Sequence, residues 1–186
     1  MTINQLSIFI ENRSGTLVKV LDLLKQSNIQ IIASTIADTA EYGIYRIICS
    51  EPSRAYEELK KAGVAVALSK VFAIQLDNEP GRAADAVKIF SDAGLGITYL
   101  YSFLLAGKGI LIFRTDDTDK AKDVIKANNL NYICEKDFAS ISSRVRRIFD
   151  SSTFMQRLSG AGANWMNEPP RKVVAKILSF LGTLED

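Results

Sequence analysis

Leu6, Ile8 and Ile10 recur at every second position near the start of the chain, the period of a half-buried strand. The turn Asn12-Arg13-Ser14-Gly15 follows, and Leu17, Val20, Leu21 and Leu24 then fall at helical spacing. Asn28 ends that helix. Residues 29–37 are rich in β-branched side chains and predict a second strand. A turn at 39–43 leads back through residues 44–49, the reading of a hairpin. Pro52 and Ser53 mark a helix start, Ala55, Leu59 and Ala62 give it an apolar face, and Gly63 suits its C-cap. Residues 64–68 complete the series as a fourth strand.

The series then begins again at an offset of 66 residues, which pairs Asn12 with Asn78, Gly15 with Gly81, Ile31 with Ile97 and Gly43 with Gly109. The second unit predicts strands at 71–77, 96–105, 109–115 and 130–135, and helices at 81–93 and 118–128. The order is βαββαβ twice. Two helices per unit against an antiparallel sheet give an α+β, ferredoxin-like sandwich. A unit of this size buries a marginal core alone, so paired units are expected. The expected division is residues 1–70, residues 71–138 and a helical C-terminal extension at 139–186.

Both units place Asn-x-x-Gly between strand and helix. The asparagine can accept a backbone N–H two or three residues on, as an Asx-turn or N-cap. Gly15 and Gly81 permit positive φ, and Pro80 has its φ preset for a first helical turn. Free amides at the positive end of a helix suit a carboxylate, while asparagine and loop carbonyl oxygens can accept from an ammonium group. Such a turn could hold both ends of a zwitterion. It could equally be a helix cap and nothing more.

On these residues (6–17 and 75–83, with the strand entries Asn28-Ile29-Gln30-Ile31 and Gly94-Leu95-Gly96-Ile97) the chain resembles the ACT-domain family, in particular small proteins of tandem ACT modules, over about residues 1–138. The resemblance implies ligand-responsive regulation, with amino acids bound at interfaces between paired modules. The turn residues it implicates are Asn12, Arg13, Ser14, Gly15, Asn78, Glu79, Pro80 and Gly81. On the facing second strands it implicates Ala33, Ser34 and Thr35 in the first unit and Tyr99, Leu100 and Tyr101 in the second. The family often has aspartate where Asn12 and Asn78 stand, which weakens the pull on an ammonium group. Tyr99 and Tyr101 can line an apolar pocket or pack on a neighbouring module.

Composition narrows the chemistry. The 186 residues carry 23 basic and 21 acidic side chains, so the field of a nucleic-acid or membrane-surface binder is missing. No run of about 18 apolar residues exists, and the start does not read as a secretory signal. The cytoplasm is the expected compartment. Histidine is absent, which removes the usual general base and the commonest metal ligand. Cys49 and Cys134 are too few for a disulfide framework and read as small buried thiols. No catalytic residue, metal or cofactor is expected. RNA-recognition modules share the βαββαβ order, but Lys108-Gly109-Ile110-Leu111-Ile112-Phe113 has isoleucine where a stacking ring is needed.

Past residue 138 the repeat ends. Val145, Ile148, Phe149, Ser152 and Met155 lie at helical spacing, and Val173, Val174, Ile177, Leu178 and Leu181 mark a second amphipathic helix after Pro170. These helices can cover a sheet, pair between subunits, or dock another protein with Trp165 as anchor. The reading is thus a non-catalytic sensor of an amino-acid-like ligand, working as a homodimer, with a possible protein partner at 139–186. The rival reading is a structural or partner-binding oligomerisation subunit that takes no small ligand.

Overall fold

The alternating run at the start of the chain makes a longer strand than its apolar residues alone dictate. In this computed structural model, which describes residues 1–38, 42–105 and 107–138, β1 covers Thr2–Glu11. It is followed by α1 (Thr16–Gln26), β2 (Ile31–Asp38), β3 (Tyr42–Cys49), α2 (Pro52–Lys61) and β4 (Val66–Leu76). Then come α3 (Arg82–Asp92), β5 (Tyr99–Leu105), β6 (Lys108–Arg114) and α4 (Thr118–Ala127). The hairpin tip at 39–41 and the helices expected beyond residue 138 lie outside the described residues.

The four helices of the described residues stop by one device, and it repeats at the offset of 66. A residue with positive φ (Asn28, Gly63, Gly94, Asn129) ends each helix. The next, apolar residue returns its N–H to a buried carbonyl five positions back: Ile29 to Leu24, Val64 to Leu59, Leu95 to Phe90 and Leu130 to Ile125, at 2.9–3.0 Å. This is the Schellman arrangement, in which the returning residue also packs on the helix it closes.

The strands form a single antiparallel sheet in the order β2-β3-β1-β4-β6-β5. The strands expected at 64–68 and 71–77 are one strand, β4, and the boundary expected between residues 70 and 71 falls inside it. Its first part pairs with β1, from Val66–Ile8 to Phe72–Thr2, and its last part with β6, from Phe72–Phe113 to Leu76–Gly109. The strand expected at 130–135 is reduced to one bridge, Ile74 with Tyr132. The cause is local: the Asp137 carboxylate accepts the Cys134 N–H at 2.7 Å, and a helical turn begins at residue 135.

Alternation along the strands decides the faces. Leu6, Ile8, Tyr45 and Ile47 meet Val20 and Leu24 of α1 and Ala55 and Leu59 of α2. Phe72, Ile74 and Phe113 meet Phe90 of α3 and Ala121, Val124 and Ile125 of α4. Val66 joins the first group and Phe72 the second, both even positions of β4, so the helices share one face of the sheet. The helix-free face collects Ile3, Ile48, Val71, Ala73, Ile110 and Ile112, together with Tyr99, Tyr101 and Phe103 of the edge strand β5.

That last group requires the sheet to curl. Two strands stand between β1 and β5, a separation of about 14 Å in a flat sheet. Yet Gln5 of β1 and Tyr99 of β5 are hydrogen-bonded at 2.7 Å. The helix-free face is therefore concave, and the outer strands of the two modules close over it.

Candidate functional site

The two strand-to-helix turns have the same backbone. Gly15 sits at φ 89°, ψ −16° and Gly81 at φ 90°, ψ −17°, each as the N-cap of its helix. The first helical bonds match as well, Lys19 N–H to Gly15 O at 3.2 Å and Asp85 N–H to Gly81 O at 3.0 Å. The asparagine caps expected from the sequence are not made: neither cap has a side-chain bond. The glycines fill the cap position, and Thr16 Oγ1 ties the first turn to the carbonyls of Glu11 (2.7 Å) and Arg13 (2.8 Å). Pro80 lies in the turn, two residues before α3 begins at Arg82. Asn12, Arg13, Ser14, Gly15, Asn78, Glu79, Pro80 and Gly81 are all exposed. Arg13 pairs with Glu11, while Arg82 faces Asp85 at 3.6 Å.

The turns lie at opposite ends of the sheet. Ile8 pairs with Val66, the first residue of β4, so the first turn lies beyond that end. The second turn follows Leu76, the last residue of β4. The strand between them, 11 residues long, spans about 35 Å at 3.3 Å per residue. Within one chain the two turns do not meet.

The second-strand positions divide by face. Ser34 and Leu100 pair with Ile47 and Phe113, so they stand on the helix side and are exposed. Ala33 pairs with Ile48, Thr35 with Arg46, Tyr99 with Arg114 and Tyr101 with Ile112, all on the helix-free side and buried or half-buried. The curl then brings the tyrosines of the second module onto the first. Gln5 Nε2 donates to Tyr99 Oη at 2.7 Å, and Tyr101 Oη donates to Gln5 Oε1 at 2.9 Å. The Arg46 guanidinium lies 4.2 Å from the centre of the Tyr99 ring, within cation–π range.

This polar seam joins the two modules in a largely apolar surround. Gln5 is fully buried, and its amide serves both hydroxyls. Burial pushes the Tyr101 phenol well above its usual range, with the neighbouring Tyr99 adding to the rise and Arg46 opposing it. The hydroxyl therefore stays neutral and keeps its proton to donate. Sequence reasoning reached Thr35, Tyr99 and Tyr101 through the resemblance to ACT modules, carried from one unit to the other by the offset of 66. It missed Gln5 and Arg46. The available signal was their chemistry: an amide and a guanidinium set among the apolar positions of strands β1 and β3.

Next to the seam, a cavity of about 480 Å³ opens between the start of β1, the start of α2 and the turn at 135–138. Its lining includes Ile3, Ile48, Cys49, Pro52, Arg54 and Phe138. Burial pushes the Cys49 thiol up to about 11, so at neutral pH it is protonated and not a nucleophile. Among the described residues no group of three or more acidic or sulfur side chains could hold a metal ion. Nor is any described helix long and apolar enough to cross a membrane.

Comparison with known proteins fits this geometry. A family model, the ACT domain pair, matches residues 1–142. The crystal structure of protein BT0572 from Bacteroides thetaiotaomicron is similar over 75% of this chain and 96% of its own, at 36% identity and a TM-score of 0.71. The ligand-free regulatory subunit of aspartate kinase from Thermus thermophilus is similar over 68% of this chain and 90% of its own, at 14% identity and a TM-score of 0.52, a likeness of fold. No curated protein matches the chain.

Proposed function

The chain belongs to the ACT domain pair family, and on that footing we propose that it is a non-catalytic regulatory protein of the cytoplasm that binds a small amino-acid-type ligand between its modules. The observation that carries this reading is the seam: Thr35, Tyr99 and Tyr101 come from equivalent second strands of the two modules and face the same concave surface. A ligand bound there would touch both modules and so bias their relative placement, which is what a regulatory module has to do. The regulatory subunit of aspartate kinase, a protein of the same fold, is in keeping with this role. The two exposed turns lie at opposite ends of the sheet and do not meet over one ligand within a chain, and we assign them to a contact with a second copy in a homodimer. Residues 139–186 are the candidate contact for a protein partner.

One observation favours the scaffold reading instead. Gln5 and the two tyrosines already satisfy one another without a ligand. Thermal-shift and calorimetric screening of the full chain against the standard amino acids separates the two. A ligand at one hundred times its dissociation constant stabilises the fold by about 2.7 kcal/mol, a shift of several degrees. At least one amino acid is expected to give it. A flat response across the panel at millimolar concentrations would leave the scaffold.

A further inference from the structure

Arg46 is the unusual group of the seam. On the helix-free face it stands between Ser7 of β1 and Thr35 of β2, its partners in register. Its side chain is half-buried, its guanidinium stacks on Tyr99, and its Nε is buried with no hydrogen-bond partner. No carboxylate among the described residues pairs with it, although the seven ion pairs formed elsewhere are all on exposed side chains that need pairing far less. Buried polar atoms are nearly always satisfied, and an orphaned guanidinium edge calls for an acceptor.

Resting on the ligand-binding reading, we propose that Arg46 anchors the carboxylate of the ligand at the seam between the modules. A carboxylate is acceptor-only and matches the planar fork of a guanidinium through two parallel bonds. The groups set directly around it, the hydroxyls of Ser7, Thr35, Tyr99 and Tyr101 and the amide of Gln5, compete with no charge of their own. The nearest charges are the exposed Arg114, register partner of Tyr99, and Glu51, Arg54, Glu135 and Lys136 in the lining of the adjoining cavity. Room for a ligand body adjoins the site, because Ile3 and Ile48, which line the cavity of about 480 Å³, are the next residues along the same face from Gln5 and Arg46. The ligand class is a small carboxylate with an apolar body, either an α-amino acid or its analogue without the amine. Because Arg46 belongs to the first module and its ring partner Tyr99 to the second, an anion drawn to the guanidinium acts on both.

The test uses the full chain and two variants, Arg46→Met and Arg46→Lys. Calorimetry measures binding of the standard amino acids, of carboxylates lacking the amine (propionate, isovalerate, 3-phenylpropionate) and of amines lacking the carboxylate (ethylamine, isobutylamine). The wild type is expected to bind carboxylates and not the simple amines. Arg46→Met should weaken carboxylate binding about 10- to 100-fold, the weight of a charged hydrogen-bonded pair. The same substitution should leave the melting temperature of the free protein unchanged or higher, because it replaces an unpaired cation by an apolar chain of similar length. A lower melting temperature with unchanged affinity overturns the proposal and makes the guanidinium a structural partner of Tyr99. If Arg46→Met does not fold, Arg46→Lys decides: it keeps the charge and loses the fork, so wild-type affinity overturns the proposal. Amino-acid binding that survives in Arg46→Met refutes the anchor and spares the sensor. Binding of simple carboxylates alone, lost in Arg46→Met, keeps the anchor and refutes amino-acid sensing. No binding by any probe refutes both.

Discussion

The first module closes its sheet with a full ladder between β1 and β4, from Ile8–Val66 to Thr2–Phe72, whereas the second closes with one bridge at Tyr132. Their cores differ in kind as well. The first packs aliphatic side chains of α1 and α2 on the sheet. The second is built around Phe72, Phe90 and Phe113, with ring centres 5.3 Å and 4.6 Å apart. The repeat is thus one of topology and helix caps, not of packing. What holds the weaker closure in place is shared backbone: β4 finishes the first module and starts the second without a break. Modules joined this way should unfold together.

The strongest way to break that comparison is to damage each core separately. Phe90→Ala removes an end ring of the aromatic group, the one packed on Phe113, and should cost about 3–5 kcal/mol; Leu24→Ala, its counterpart in the aliphatic core, about 2–5 kcal/mol. Chemical denaturation followed by circular dichroism should show both variants moving one common transition. Two transitions, with only the second displaced by Phe90→Ala, would show that the common strand does not couple the modules.

How much of this could be read in the sequence follows the range of the interactions involved. Period and punctuation, which act over a few residues, located the four helices and the hairpins. The joining of two expected strands into β4 was hidden by Ser69 and Lys70, whose polarity reads as a break. They continue the strand because Gln5 and Asn4 pair with them through backbone, which needs no apolar side chain. The same pairing extends β1 back to Thr2. Leu130-Asn131-Tyr132-Ile133 looks like a strand, but the Asp137 carboxylate that ends it acts from outside the run. At the candidate site, the positive-φ glycines were legible from the turn pattern, and the tyrosines only through the resemblance to ACT modules. Gln5 and Arg46 were not, because their meeting with β5 depends on sheet curl rather than on any spacing along the chain.

The seam gives a smaller and more specific perturbation. Gln5→Leu keeps the volume near that of the native side chain but leaves the Tyr99 and Tyr101 hydroxyls without their shared partner. About 1–3 kcal/mol should be lost, the cost of leaving buried polar groups unmade. Since β4 is untouched, the single transition should persist at a lower midpoint. A second transition appearing in Gln5→Leu would assign the coupling of the modules to the seam and not to the strand.

The smallest effect asks whether the repeat is exact anywhere. Gly15 and Gly81 have φ values of 89° and 90°, and a Cβ added at either meets nothing within 4 Å. Substitution by alanine therefore carries no clash, and its whole cost is backbone strain of about 1–2 kcal/mol, reduced by nothing in the surroundings. Because strain is a property of φ and ψ, and these agree between the turns, Gly15→Ala and Gly81→Ala should lose the same stability to within a few tenths of a kcal/mol. The comparison of the two cores predicts no such equality. If the losses differ by more than about 1 kcal/mol, one turn relaxes where the other cannot, and the difference between the modules reaches into a backbone segment they now hold in common.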